Sequence, residues 1–505
     1  MFESDKTNIE NLILVAQKKE PADLVLKNAK IVNVFTEEVY PADIAIKDGT
    51  IAALGSNYKG EAVIDLTGKF VCPGFIDGHL HVESSMVPIP EFAKVVVPHG
   101  TTTIIIDPHE IANVMGTTGI TYMLKTSKYN PLNVFMMLPS CVPATPLETA
   151  GAELKALDLF PLMQDKWVLG LGEMMNYPGV LACQDEVLDK IKISQGRIID
   201  GHAPGITGDE LNAYVAAGMR SDHECTLPEE ALEKLRLGLY IMIREGSTTK
   251  NLLDLLPLVN EQNINQCFFV TDDRSPAELM DEGHIDNMVR KATAFGMRPS
   301  AAIRMATINP ARYFGLKYLG AIAPGYDADM LVLKDLEKIT IERVFKNGIC
   351  VAENGIPIYQ SIDHQKIMMR GSINVKWIER QHFQVKALSN QFRVIQMIPE
   401  QIVTKESIFD TPICENGYMV SDTKRDLLKL AVIERHYGSG RTGLGFIKGF
   451  GLKKGAIAST IAHDSHNIIA VGVTDEDIYQ AVVQLVRQQG GLAVAADGEV
   501  LGSLP

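Results

Sequence analysis

From about residue 72 to residue 315, short apolar runs alternate with longer stretches of helical periodicity, such as PEEALEKLRLGLYIMIREG and SPAELMDEGHIDNMVRKATAFG. This alternation predicts repeated βα units, and parallel neighbours need such crossovers. About 240 residues is the usual size at which eight units close on themselves. The expected fold class is therefore α/β, a (β/α)8 TIM-like barrel over 72–315. In such a barrel chemistry sits where the strands end, so polar residues just after apolar runs are the candidates.

Both flanks of that region read differently. ADLVLKNAKIVNVF, ADIAIKDGTIAAL with Asp48-Gly49 as a hairpin turn, and EAVIDLTGKFV predict short strands within 1–71. The same texture returns in GAIAPGYDADMLVLKD and ITIERVFKNGICVAENG within 316–369. The two flanks are expected to form one split β-sandwich domain. From 370 to 505 a separate C-terminal α/β domain is expected, with SINVKWIER and HFQVKALSN as strands. Its last helix should start at the N-cap Thr474, with Asp477 three residues on, and stop near Gly490.

Composition removes several functions. The 505 residues carry 48 Lys+Arg against 62 Asp+Glu, a formal net charge of −14. No broad basic field supplies the counterion release on which nucleic-acid binding depends, so that partner is not expected. Seven scattered cysteines without a C-x-x-C pair suggest neither a disulfide framework nor a thiolate zinc site. No stretch approaches ~20 uninterrupted apolar residues, and the N-terminus lacks a cleavable leader pattern, so no membrane association is expected. A reducing cytoplasm fits this usage.

Polar residues follow the apolar runs selectively. FIDGHLH offers His79 and His81, WVLGLGE offers Glu173, RIIDGHAPG offers His202, MRSDHE offers His223, and FFVTDD offers Asp272 and Asp273. Residues i and i+2 of a strand face one side, so His79 and His81 can converge on one ion. Four imidazoles with carboxylates and no thiolate suit Mn²⁺, Fe²⁺ or Zn²⁺. Elsewhere, Gly438 to Gly443 matches G-x-G-x-x-G, but LGFIKGFGLKKGAIAS after it has no helical pattern to receive a phosphate.

PGFIDGHLH resembles the first-strand signature of the amidohydrolase superfamily, and the flanking ADIAIKDGTIAALG and GAIAPGYDADMLVL resemble its sandwich strands. HVESSMVPIPEFAKVVVPHGTTTIIIDPHEIANVMG, EMMNYPGVL, GHAPG, SDHE, VTDDR and AHDSHN resemble the adenine deaminase family within it. The resemblance implies hydrolysis of adenine to hypoxanthine and ammonia by a homodimer carrying two divalent metal ions, with Mn²⁺ expected. It implies His79, His81 and Asp272 at one metal and His202 and His223 at the second. Glu173 would bridge them where many relatives use a carboxylated lysine, so no bicarbonate requirement is expected.

On that footing Asp272 is the expected proton shuttle and Glu83 the expected donor to purine N1. Asp107, His109 and Glu110 are expected to hold the purine or an extra ion; otherwise they form an Asp-Pro turn with a solvated His-Glu pair. Asp273 is expected near the substrate, and Ser84 and Ser85 either contact the substrate or serve as loop hydrogen-bonders. His463 and His466 lie either on a lid loop with a polar contact to substrate or in a polar hairpin turn. A cyclic-amide hydrolase of dihydroorotase or hydantoinase type shares the barrel and metals but has lysine where Glu173 stands. An inactive scaffold would be expected to have lost ligands.

Overall fold

The computed structural model describes residues 6–128, 130–360, 369, 371–399 and 403–505. The chain divides into two compact units. One comprises Met1–Pro108, Thr121–Ser140 and Ala156–Gln365, the other His109–Ile120, Cys141–Lys155 and Lys366–Pro505. The domain boundary expected at 370 falls on a residue outside those described. Among the described residues no helix is long and apolar enough to cross a membrane.

After the helix Lys6–Ala16 the first unit continues through β1 (Ala22–Val32), β2 (Val39–Lys47), β3 (Thr50–Gly55), β4 (Gly60–Asp65) and β5 (Phe70–Pro73). β2 and β3 pair antiparallel with Lys47 opposite Thr50. The two residues between them, Asp48 and Gly49, have φ of 50° and 75°. That is the twist-matched hairpin turn expected from the Asp-Gly dipeptide.

Eight parallel strands follow in two sheets. β6 (Phe75–Leu80), β7 (Thr101–Ile106), β8 (Asn133–Leu138), β9 (Val168–Met174) and β10 (Ile198–Gly201) form one, ordered β10-β9-β8-β7-β6. β11 (Ser221–Asp222), β12 (Tyr240–Arg244) and β13 (Cys267–Val270) form the other. An isolated parallel bridge joins Leu80 at the end of β6 to Asp272 just beyond β13. Ile76, Ile105, Phe135, Met137, Met242, Phe268 and Val270 from these strands share one buried cluster with Tyr313 and Phe314.

The chain then returns to the first sheet through β14 (Met330–Leu333), β15 (Ile341–Lys346), β16 (Ile349–Glu353) and β17 (Ile356–Pro357). β14 pairs antiparallel with β5, Met330 opposite Pro73, so both sequence flanks enter a single nine-stranded sheet. Leu26, Ile31, Ile44 and Ile51 from one flank pack there with Met330, Val332 and Phe345 from the other.

Two stretches with helical periodicity are divided differently from the expectation. In PEEALEKLRLGLYIMIREG the helix Pro228–Arg236 stops before Gly238 (φ 87°), and YIMIR is strand β12. Alternating Ile241 and Ile243 suit a pleated strand, and the left-handed glycine separates the two periods. SPAELMDEGHIDNMVRKATAFG holds two helices, Pro276–Asp281 and Ile285–Phe295, broken at Gly283 (φ 99°).

In the second unit eight strands form one sheet, edge to edge Thr404–Asp410, Gln391–Met397, Thr442–Lys448, Leu427–Ile433, Ile468–Gly472, Ala456–Ser459, Leu492–Ala496 and Glu499–Leu504. The helix Asp475–Gln488 begins as expected: the Thr474 hydroxyl accepts from Asp477 N at 3.0 Å and donates to Asp477 Oδ2 at 2.7 Å. Its Ile478, Ala481, Val482 and Leu485 pack on small strand residues including Ala431, Ala456, Ala458 and Ala470. SINVKWIER is not a strand. Asn374 instead spends its N–H and side-chain amide on the carbonyls of Arg435 and His436, and Val375 and Ile378 pack on the sheet core. The G-x-G-x-x-G segment runs from a hairpin loop into the strand Thr442–Lys448, and the loop's backbone N–H groups at His436, Tyr437 and Ser439 are taken by the Glu434 carboxylate. None of those three is left for a phosphate.

One buried ion pair braces two strand-end loops of the first unit. Lys234, on the helix Pro228–Arg236, is fully buried and donates to Asp222 Oδ2 (2.8 Å), Glu230 Oε1 (2.7 Å) and Ala203 O (2.8 Å). Asp222 Oδ1 accepts in turn from Ala203 N at 2.8 Å. Lys234→Met strands the Asp222 carboxylate and should cost about 3–5 kcal/mol in chemical denaturation. Adding Asp222→Asn should recover part of the loss, whereas no recovery would show that the pair is not the cause.

Candidate metal centre

Six of the residues singled out by their place after apolar runs converge. His79 is the penultimate residue of β6 with His81 just past its end, Glu173 is the penultimate residue of β9, and His202 and His223 directly follow β10 and β11. Asp272 lies two residues past β13 with φ of 58°. This left-handed turn carries the chain back to β6, where Asp272 N donates to His79 O at 3.0 Å. Only His202 retains appreciable exposure, 20% of its side chain.

Glu173 stands between two pairs of imidazoles. Its Oε1 lies 3.8 Å from His79 Nε2 and 3.2 Å from His81 Nε2. Its Oε2 lies 2.6 Å from His202 Nδ1 and 3.2 Å from His223 Nε2. Asp272 Oδ1 sits 3.2 Å from His81 Nε2 and 3.8 Å from His79 Nε2. Donor atoms of His79, His81 and Glu173 fall within 4.8 Å of one another, as do those of His79, His223 and Asp272.

These spacings fit a cation. Two ligands each ~2.1 Å from one ion are roughly 3.0–3.4 Å apart, close to most of the observed separations. His79 Nε2 is buried without a hydrogen-bond partner. Such an orphan at the focus of two carboxylates is what a metal ligand looks like when only protein atoms are considered. His81 is already oriented for ligation, because its Nδ1 donates to Asp107 O at 2.8 Å and so turns Nε2 inward.

Asp107 also accepts from Glu173 N through Oδ2 at 3.1 Å, so it positions two ligands at once. A Cβ on Gly172 would come within 2.0 Å of that oxygen, which makes the glycine of WVLGLGE a requirement for this approach. Ser84 donates to Asp273 Oδ1, tying the segment after β6 to the one after β13. Ser85 bonds Val82 O at 2.6 Å within its own turn. Glu83 is half-buried on the one-turn helix Val82–Ser85 directly after His81.

Two participants escaped the sequence reasoning. Arg244 ends β12 and donates to Asp272 Oδ2 at 2.8 Å while also holding both oxygens of Glu224. Glu224 Oε1 is in turn 3.7 Å from His202 Nδ1 and 3.5 Å from His223 Nε2. Arg244 closes the apolar run YIMI, so the rule that found the histidines applies to it as well.

The remaining candidates gather in the second unit. His109 and Glu110 open the helix His109–Met115 and are buried, which removes the solvated-pair alternative. His463 and His466 occupy the hairpin loop between Ala456–Ser459 and Ile468–Gly472. Glu110 is 3.3 Å from His463 Nδ1 and 3.6 Å from His466 Nε2. The expectation of substrate contacts thus meets a cluster made by these four residues themselves.

Histidines and carboxylates at the ends of parallel strands in an α/β fold define a class, the metal-dependent hydrolases. Residues 70–351 match the Amidohydrolase family and residues 401–505 match the Adenine deaminase C-terminal domain. The chain is 54% identical to Adenine deaminase 2 of Carboxydothermus hydrogenoformans, over 98% of this chain and 87% of that protein. It is 51% identical to the adenine deaminase of Dehalococcoides mccartyi strain 195, over 99% and 87%. The solved structure of an adenine deaminase superposes with a TM-score of 0.50 at 19% identity, covering 66% of this chain and all of that one, a likeness of fold. The chain belongs to the adenine deaminase family of amidohydrolases.

Protons would compete with cations for these imidazoles. Burial opposes charge on His81, yet Asp272 and Glu173 raise its pKa well above the usual value. Burial likewise opposes charge on His202, but Glu224 and Glu173 push it up to about 9, and Glu173 raises His223. His79 goes the other way, lowered by burial and by the neighbouring His223. A raised folded-state pKa means the proton stays bound at neutral pH and leaves only as pH climbs through the shifted value. Metal loading at pH 7 should therefore release protons, and apparent affinity should fall as pH drops from about 9. Titration of metal into weakly buffered apoprotein with a pH indicator measures this; no proton release would contradict it.

Proposed function

We propose that the chain catalyses adenine + H₂O → hypoxanthine + NH₃, a purine-salvage step. The observation that carries this reading is Glu173, one oxygen toward each pair of imidazoles, in a chain about half identical to adenine deaminases. His79, His81 and Asp272 would hold one divalent cation, His202 and His223 would hold a second, and Glu173 would serve both. Mn²⁺ is the ion we assign, and the same donors accept Fe²⁺ or Zn²⁺. Glu173 already brings two oxygens and a negative charge, so no carboxylated lysine or bicarbonate is needed.

We read β6–β13 as one (β/α)8 barrel over 72–315. The five- and three-stranded parallel sheets and the Leu80 to Asp272 bridge support this closure. A split β-sandwich over 1–71 and 316–369 and a C-terminal domain over 370–505 complete the proposed layout. The seven cysteines are all free, which supports a reducing, cytoplasmic setting. We assign a homodimer by kinship with the family.

Bound at this centre, divalent cations lower the pKa of water to ~7 and so supply a nucleophile at neutral pH. Asp272 takes the proton of the attacking water on Oδ1, because Arg244 occupies Oδ2. Burial pushes the Asp272 pKa up, but Arg244 and His81 override it and hold the carboxylate ionised, ready to accept. Attack at C6 ends the ring's aromaticity and drives charge onto N1, which needs an acid. We assign Glu83 to that donation. Asp272 then passes its proton to the departing amine, the C6–N bond breaks to release NH₃, and the proton on the new C6 hydroxyl returns to Glu83 as C6=O forms. Ser84 and Asp273 brace the edge of the purine site, and Asp107 keeps His81 and Glu173 in place.

Purified, Mn²⁺-loaded protein given adenine, adenosine and dihydroorotate in separate reactions should release ammonia from adenine, with the ultraviolet change to hypoxanthine. Turnover of dihydroorotate in place of adenine would reject the assignment. Asp272→Asn and Glu83→Gln should each lower kcat by roughly 10²–10⁴-fold, the range of general acid–base catalysis, in protein of unchanged circular dichroism. Full activity in either variant would remove that residue from its role.

A further inference from the structure

The cluster in the second unit has the composition of a metal site. His109 Nε2 lies 3.6 Å from Asp464 Oδ1, and the donor atoms of His109, His463 and Asp464 all fall within 4.8 Å of one another. Glu110, His463 and His466 form a second such group sharing His463. Separations of 3.3–3.6 Å are long for charged hydrogen bonds but within a few tenths of an ångström of ligand spacing around one ion. His109 and Glu110 are buried, while His463 and Asp464 keep 38% and 32% of their side chains exposed. An ion therefore has both a dry floor and an entrance.

An independent feature also points to a ligand. Ala462 N donates to His466 Nδ1 at 3.2 Å, so the neutral ring carries its proton on Nε2. That atom is buried with no hydrogen-bond partner, and the Glu110 carboxylate stands 3.6 Å away, leaving its N–H without an acceptor. The tautomer rules out His466 Nε2 as a ligand and makes it a donor to something bound between the two. The Asp464 carboxylate opposes the positive charge of nearby Arg435.

We propose that His109, His463 and Asp464 bind a divalent cation, with Glu110 and His466 holding its water ligands by hydrogen bonds. Two imidazoles and one carboxylate are a borderline donor set suited to Mn²⁺, Fe²⁺ or Zn²⁺. The ion joins the helix His109–Met115 to a hairpin loop some 350 residues later, and so orders the loop over 460–467. This goes beyond the catalytic assignment, which needs only the ions at the strand ends.

Chelated protein reloaded with Mn²⁺ and freed of excess metal should hold three ions per chain by elemental analysis. His463→Ala and Asp464→Asn should each hold two, and their retention of two shows that the variants fold. Glu173→Ala should keep the ion that Asp464→Asn removes from that background. Hydrogen exchange over 460–467 should slow on Mn²⁺ addition in the parent protein and not in Asp464→Asn. Uptake by His463→Ala and Asp464→Asn equal to the parent's, or loss of every ion in them, would overturn the proposal. A parent protein that fails on adenine yet loses one ion with Asp464→Asn would reject the catalytic reading and leave this one standing.

Discussion

A carboxylate as deeply buried as Glu173, 3% exposed, must be met by positive charge, because an unpaired buried ion costs several kcal/mol. The strand ends of the first unit answer that demand. Four imidazoles from β6, β10 and β11 surround the two oxygens, and whether protons or cations provide the charge depends on pH and metal supply. Burial pushes the Glu173 pKa up, yet His202, His223 and His81 hold it well below the usual carboxylate value. The same geometry that favours protons on these imidazoles suits them to hold cations.

Keeping those groups in register falls to polar residues that touch no reacting atom. Asp77 accepts from His79 N at 3.2 Å and from Thr271 N at 3.2 Å, and its Oδ2 meets the Thr271 hydroxyl at 2.5 Å and His284 Nε2 at 3.1 Å. One carboxylate thereby locks β6 against the chain leaving β13, which sets His79 beside Asp272. Asp107 performs the equivalent service for His81 and Glu173, and Lys234 with Asp222 for the loops carrying His202 and His223. Backbone amides do much of this work, since a loop fixed by main-chain bonds leaves its side chain free to ligate.

What was legible in the sequence follows from range. The Asp48-Gly49 turn and the Thr474 cap depend on neighbouring residues, and both were readable. The six strand-end residues were readable because a barrel-like chain puts chemistry at strand ends whatever its loops do. Arg244 satisfies the same rule, but an arginine after an apolar run also reads as a strand entering solvent, and its partners Glu224 and Asp272 lie just past the ends of other strands. Lys234, in the charged helix PEEALEKLR, looks like solvated surface until the fold supplies Asp222 and Ala203 O. SINVKWIER has strand-like alternation, but its amides are claimed by carbonyls some sixty residues away, and local pattern contains no term for that.

His109 and Glu110 show the same limit from the opposite direction. Asp-Pro before a His-Glu pair left a turn in solvent open as the alternative to a role in the site, because proline does open turns and both following residues are hydrophilic. Proline is equally suited to the residue just before a helix, and here it leads into His109–Met115 with both polar residues buried. Two hydrophilic side chains withdrawn from water need partners. His463, Asp464 and His466 provide them from a loop that sequence alone could not dock. The acidic surplus of the chain is thus of two kinds. Glu110, Glu173 and Asp272 are buried against imidazoles and cationic groups, while exposed acids such as Glu261 and Asp497 face water. A solvated negative surface does not hinder an uncharged purine base, whose selection then rests on hydrogen bonds made inside the site rather than on the long-range field.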